Sequence, residues 1–279
     1  MAGIAWEPLG TFGARVDLDL REPVSSQEAE TLRAMLDEHK LLVFPGQSLD
    51  YDEQLAVSAW FGKAVRERAP LFVSPDPEIG GLGSKELAFH SDMSCCEPLD
   101  AISLHAVDVD DLVSCTRFVD AVGAAQALPE ELRRRIRDLT ALHLWPTMES
   151  SSERERGKWD IPDNWPGAEH PVLMTHPRTG KDILYVNASQ TERIVELDPV
   201  EGEELIIELF GTLYDPQFTL EHVWKTGDFL VWDNLALQHG RPALPAGVTR
   251  NLQRVSIGND PHGRNMPEEF RKAYGLVVD

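Results

Sequence analysis

Short apolar runs closed by turn signals recur along this chain, and they constrain its fold more than any other feature. Leu41-Leu42-Val43-Phe44 stops at Pro45-Gly46, and Phe218–Trp224 is parted from Asp228–Trp232 by Lys225-Thr226-Gly227. Further strand-like runs are Gly13–Leu20, Ala101–Val107, Leu112–Val119, Ala141–Trp145, His170–Leu173, Ile183–Val186 and Leu252–Ile257. Helices fall between some of them. Ser25-Ser26-Gln27-Glu28 opens one by side-chain capping, Ser48 or Asp50 caps a second that ends at Gly62, a third runs Pro129–Leu139, and Asp198-Pro199 begins a fourth. No strand–helix–strand rhythm is sustained, so a doubly wound parallel sheet is excluded. The pattern predicts a mainly β fold with flanking helices, a sandwich or jelly roll. Without repeat, low-complexity tract or linker, residues 1–279 read as a single domain.

Composition narrows the function classes. A net charge of −21 leaves no basic stripe to neutralise phosphates, which argues against nucleic acid and against anionic membrane surfaces. Cys95, Cys96 and Cys115 are too few and too poorly spaced for a disulfide framework or zinc knuckle, a usage that suits a reducing cytosol. There is no signal-peptide pattern and no apolar run long enough to span a bilayer, so the expectation is a cytoplasmic protein.

Chemistry concentrates at Leu87-Ala88-Phe89-His90-Ser91-Asp92, which holds the one His-x-Asp or His-x-Glu among nine histidines. Residues i and i+2 of a strand share a face, so His90 and Asp92 would project an imidazole and a carboxylate side by side. That supplies two thirds of the two-His-one-carboxylate triad that holds Fe(II), and His239, after Trp232-Asp233-Asn234, offers the third ligand. For the tripeptide alone, a solvated polar pair is the competing reading.

With these segments in order, the sequence resembles the taurine dioxygenase and 2,4-dichlorophenoxyacetate dioxygenase (TauD/TfdA) family of Fe(II)/2-oxoglutarate oxygenases. The likeness rests on Leu42-Val43-Phe44-Pro45-Gly46-Gln47, Phe61-Gly62, Leu87–Asp92, His170-Pro171-Val172, His176–Gly180 leading to Leu184–Asn187, and Trp232-Asp233-Asn234 to His239. It implies a double-stranded β-helix core, cupin-like, with Fe(II) held by His90, Asp92 and His239, and with 2-oxoglutarate and O₂ as co-substrates. It also implies that Arg250 grips the distal carboxylate of 2-oxoglutarate, a role suited to a planar guanidinium, with Thr116 hydrogen-bonded to the same group. Arg254 matches a position that holds a substrate's sulfonate or carboxylate in some members, and a second 2-oxoglutarate anchor or a structural carboxylate partner are its other readings. Phe89 and Gln190 are the remaining substrate-binding candidates, with Gln190 standing where the family often places an aromatic. Family members are often dimers or tetramers.

The implied reaction is hydroxylation of a small, anionic organic substrate, with succinate and CO₂ as co-products, and with cleavage where the hydroxylated carbon bears a heteroatom. Desaturation, epimerisation or cyclisation at the same iron is the alternative, and a non-catalytic cupin-like metal or small-acid binder is the third reading. Residues 63–86 and 149–167 lack a sustained period and read as loops that close the site, with Trp159 and Trp165 as lid aromatics. His105, His143, His222, Trp224 and Trp232 read as core, His170 and His176 as turn-shaping, and Cys95 and Cys96 as inert packing.

Overall fold

The architecture follows from where the apolar faces of the strands can be covered. A computed structural model describes residues 4–145 and 165–258. The chain begins with β1 (Ala5–Pro8) and β2 (Ala14–Asp17), then α1 (Ser26–His39), β3 (Leu41–Phe44) and α2 (Tyr51–Ser58). Both helices open on capping boxes, Ser25 with Glu28 and Asp50 with Glu53, each side chain taking a backbone N–H that the first turn leaves unpaired. Next come β4 (Leu71–Ser74), β5 (Gly81–Leu82), β6 (Leu87–His90), β7 (Ala101–Val109) and β8 (Cys115–Asp120). The helices α3 (Ala121–Ala127) and α4 (Glu130–Ile136) lead into β9 (Thr140–Leu144), β10 (Gly167–Pro171), β11 (Leu173–Thr175), β12 (Asp182–Leu184) and β13 (Thr191–Ile194). After α5 (Pro199–Leu213) follow β14 (Thr219–Val223), β15 (Phe229–Asp233), β16 (Leu237–Arg241) and β17 (Arg250–Ile257).

Two sheets face each other across a core. The larger has the order β1-β2-β3-β15-β7-β17-β4-β5, and the smaller the order β14-β8-β16-β6. Between them lie Ile102, Leu104, Leu230, Trp232 and Leu252 from one sheet and Phe118 and Leu237 from the other. The alternate residues Phe229 and Val231 of β15 turn outward, onto Leu32, Met35 and Leu36 of α1. With both faces covered, every residue of β15 is buried. The smaller sheet's other flank is covered by α3 and α5, through Val122, Leu205, Ile206 and Leu209. This is the expected jelly roll.

Several local readings are corrected. Residues 63–86 are not one loop: β4 pairs antiparallel with β17, and β5 pairs parallel with β4. These short strands sit among Pro and Gly, and pairing, of β4 with β17 and of β5 with β4, supplies what their own sequence lacks. Leu112 and Val113 are exposed rather than strand residues, because Leu112 adopts φ +66° in the turn that precedes β8. The helix expected over Pro129–Leu139 is the shorter α4, and α3 before it arises where Asp120 accepts the Gly123 N–H. The segment 149–164 with Trp159 lies outside the described residues, whereas the Trp165 indole donates to the Trp145 carbonyl at 2.9 Å.

One close approach holds the smaller sheet together. A Cβ on Gly240 of β16 would fall 2.7 Å from the Leu87 carbonyl oxygen and 3.2 Å from Phe89 on β6. Gly240→Ala is therefore expected to lower the unfolding free energy by about 2 kcal/mol in denaturant titration. Gly211→Ala, in α5 where a Cβ meets nothing within 4 Å, serves as the control and should leave stability equal or higher by about 1 kcal/mol. Equal destabilisation by both would remove the close-approach argument.

Candidate active site

The smaller sheet brings the two ends of the motif together. In the antiparallel pairing of β6 with β16, His239 lies opposite His90, and the two rings sit 4.3 Å apart between centroids. Asp92 follows β6 at once. Its Oδ1 is 3.2 Å from His90 Nε2 and 3.9 Å from His239 Nε2. One ligand atom from each of the three residues falls within 4.8 Å of the others. Two imidazoles and one carboxylate, with their ligand atoms turned to a shared point, fit a divalent iron and leave room for further ligands.

The surroundings prepare each group. His90 Nδ1 donates to the Ala88 carbonyl at 2.8 Å, which leaves Nε2 as the nitrogen that faces Asp92. Burial alone would push the His90 imidazole down, but the hydrogen bond and charge of Asp92 outweigh it, so His90 titrates above its ordinary 6.5. Burial, then the charge of His90, pushes His239 down to about 3. Asp92 goes the other way. Burial would raise it, yet the Arg254 charge and the two histidines hold its carboxyl well below the usual carboxylate range. Arg254 donates from Nη2 to Asp92 Oδ2 at 2.8 Å and from Nη1 to Ser256 Oγ at 2.7 Å, so one carboxylate oxygen is fixed while the other faces the histidines.

Asp92 is also clamped through its main chain. The buried Asn234 side chain accepts the Asp92 N–H at 2.9 Å, and its amide donates to the carbonyls of Asp92 at 2.9 Å and Leu99 at 3.1 Å. Asn234 sits in the β15–β16 turn. There Asp233 Oδ1 accepts the N–H groups of Leu235 and Ala236, while Oδ2 receives His176 and Arg178. His176 shapes its own turn as expected, its Nδ1 accepting the N–H groups of Arg178 and Thr179.

A cavity of about 70 Å³ opens beside these ligands, lined among others by Thr116, Trp232, Arg241, Arg250 and Arg254. Arg250 is 3% exposed, and Nη2 donates to Thr116 Oγ1 at 3.1 Å. Its Nε, also buried, has no hydrogen-bond partner, and no carboxylate of the described residues forms an ion pair with it. Burial, then the nearby Arg241, brings its pKa down to about 9. A buried guanidinium with spare N–H groups toward a cavity is a receptor for a carboxylate.

Comparison with known proteins agrees with this geometry. Residues 5–256 match the family described as "Taurine catabolism dioxygenase TauD, TfdA family". The chain belongs to the TauD/TfdA family. A 2,4-dichlorophenoxyacetate dioxygenase of Cupriavidus pinatubonensis is 29% identical over 91% of this chain and 96% of its own. A pentalenolactone F synthase of Streptomyces arenae is 31% identical over 92% of this chain and 94% of its own. The crystal structure of AAD-2 in complex with Mn(II) and N-oxalylglycine superposes with a TM-score of 0.78 at 26% identity, covering 93% of this chain and 99% of that one. As a TauD/TfdA member, the protein is a 2-oxoglutarate-dependent dioxygenase that uses Fe(II), 2-oxoglutarate and O₂.

Two expected substrate residues lie elsewhere. Phe89 is stacked on Tyr214, with ring centroids 5.1 Å apart, and packs against the helical flank rather than lining the cavity. Gln190 is buried, its side chain spent on the Ser94 hydroxyl. Sequence reasoning missed Asn234, Arg241 and the second role of Trp224, whose indole donates to Thr116 Oγ1 at 3.0 Å. Among the described residues no helix is long and apolar enough to cross a membrane.

Two outcomes follow for the metal centre. Imidazole ligates a metal in its neutral form, so below the raised His90 pKa a divalent ion that binds there would displace the proton that Asp92 stabilises. Metal affinity should fall as pH falls through the raised His90 pKa. Calorimetric Mn(II) titration across a pH series, in buffers of differing ionisation enthalpy, should then show proton release that grows as pH falls and disappears in His90→Ala. Heats independent of buffer would defeat this. Asn234→Leu keeps the volume but leaves the Asp92 backbone unpartnered, and should weaken Mn(II) binding about 10- to 100-fold. Unchanged affinity would reduce Asn234 to a turn residue.

Proposed function

We propose that His90, Asp92 and His239 hold Fe(II), that Arg250 and Thr116 hold the distal carboxylate of 2-oxoglutarate, and that one domain hydroxylates a small organic anion. The observation that carries this reading is the buried Arg250, which pairs with no carboxylate among the described residues, in the same cavity as the three clustered ligand atoms. Bound iron supplies an oxidising centre at which 2-oxoglutarate is decarboxylated to succinate and one oxygen atom is delivered to a substrate C–H bond.

The chain's own residues bind, orient and exclude water. Arg250 and Thr116 present N–H and O–H donors to an acceptor-only carboxylate. Arg254 keeps Asp92 ionised and turned so that Oδ1 faces the two histidines. The cavity wall carries three arginines against one carboxylate, Asp92. With the charge of bound Fe(II) added, a positive balance survives the uptake of a dianionic co-substrate and favours a second anion, in keeping with a relative that acts on 2,4-dichlorophenoxyacetate. We assign its anchoring to Arg254, whose hydrogen bonds to Asp92 and Ser256 leave further N–H groups for a ligand. Where the hydroxylated carbon bears oxygen or sulfur, collapse of the product would cleave that bond. A biosynthetic outcome at the same centre is the second reading, supported by the likeness to a pentalenolactone F synthase.

The test is succinate formation from 2-oxoglutarate under air with Fe(II), across carboxylates, sulfonates, sulfate esters and neutral analogues. Stimulation by one anionic class is expected, abolished in His90→Ala and lost for that class in Arg254→Ala. Equal succinate from wild type and His90→Ala would sink the iron assignment. Stimulation by neutral compounds, undisturbed in Arg254→Ala, would sink the anionic substrate.

A further inference from the structure

We propose that Trp224 is a positioning residue for co-substrate binding, its indole N–H committing the Thr116 hydroxyl to act as a hydrogen-bond donor into the cavity. The inference rests on the reading of Arg250 and Thr116 as the carboxylate cradle and adds the device that sets its polarity.

The argument is a valence count at one oxygen. A threonine hydroxyl has two acceptor lone pairs and one proton, and its direction is ordinarily free to suit any neighbour. Thr116 Oγ1 receives the Trp224 Nε1–H at 3.0 Å and the Arg250 Nη2–H at 3.1 Å. Neither partner can accept in return, because an indole N–H and a guanidinium are donors only. Both lone pairs are taken, and the remaining O–H finds no acceptor among the described residues. Thr116 is 3% exposed and lines the cavity, so the free direction of that proton is toward whatever occupies it. A carboxylate, which only accepts, satisfies it, whereas a ligand offering only donors there meets a third donor.

Trp224 is held in place for this. It is fully buried, its backbone N–H donates to the Ser114 carbonyl at 3.0 Å, and its ring stands edge-on to His222 at 4.8 Å. His222 in turn is tied to Asp228 at 3.1 Å. The Arg250 guanidinium carbon lies 5.9 Å from the same indole ring. One side chain thus touches both members of the cradle while standing behind them, away from the ligand.

The experiment is a double-mutant cycle read by calorimetric binding of N-oxalylglycine to the Mn(II)-loaded full chain. Thr116→Val removes the donor and should weaken binding about tenfold, and Trp224→Phe should weaken it about three- to tenfold. In the Thr116→Val background, Trp224→Phe should add nothing, and Mn(II) affinity should be unchanged throughout. Replacing Trp224 by 3-benzothienylalanine, which swaps the indole N–H for sulfur at nearly the same ring shape, should reproduce the Trp224→Phe loss and keeps the test sound if that variant folds poorly. An equal loss from Trp224→Phe in both backgrounds, or full affinity with the benzothienyl ring, would overturn the role of the N–H while leaving the cradle intact. Full affinity in Thr116→Val would overturn the cradle assignment itself and this inference with it.

Discussion

The site depends on one register: β6 runs antiparallel to β16 with His90 opposite His239. Directly opposed residues on neighbouring antiparallel strands bring their side chains within reach on one face, which is how histidines so distant in sequence come to face each other. A slip of one residue would turn His239 away from His90 and remove the metal-binding face altogether. Two features guard against such a slip. Gly240 lets β6 approach more closely than any side chain would allow, and the pairing shifts at this residue, between His239 and Arg241. Asn234, from the turn that precedes β16, reaches across to the Asp92 backbone. One segment therefore carries one ligand and fixes the main chain of another.

Electrostatics then divides the cavity into two unlike halves. Near the histidines, Asp92 is a half-buried carboxylate whose charge is satisfied by Arg254 and by hydrogen bonds. Across the cavity, Arg250 is a buried cation with no carboxylate partner among the described residues, its pKa depressed to about 9. Leaving a charge unpaired in a protein interior is costly, and such an arrangement persists when a ligand repays the cost on binding. The depressed value still leaves Arg250 protonated at neutral pH, so the attraction for an anion is present throughout the ordinary working range.

Much of this was legible in the sequence, for a definite reason. The motif set Asp92 beside His90, although Asp92 stands in the turn after β6 and not on the strand as expected, and the strand period of two placed Arg250 and Arg254 together along β17, both lining the cavity. That rule, applied consistently, also sends Phe89 to the face opposite His90, where it is found against Tyr214. The strands β4 and β5 were illegible because pairing, of β4 with β17 and of β5 with β4, and not local pattern, makes them strands. Asn234 and Trp224 were illegible for a different reason. Each acts through hydrogen bonds to partners more than a hundred residues away, Asp92 and Thr116, and residue type alone marks the first as a turn former and the second as core.

The two kinds of support suit what the two halves must do. A metal ligand needs its atom fixed in space, and backbone clamping of Asp92 by Asn234 achieves that without adding a group that competes for the ion. An anion cradle needs its donors pointed correctly before the ligand arrives, since reorienting a hydroxyl on binding would subtract from affinity. Trp224 meets that need from behind, through an atom that can only donate. Arg254 belongs to both halves: it holds Asp92 Oδ2 and also lines the cavity. An anion that binds Arg254 must therefore share it with the carboxylate of a metal ligand, so substrate charge and ligand geometry are coupled through a single guanidinium.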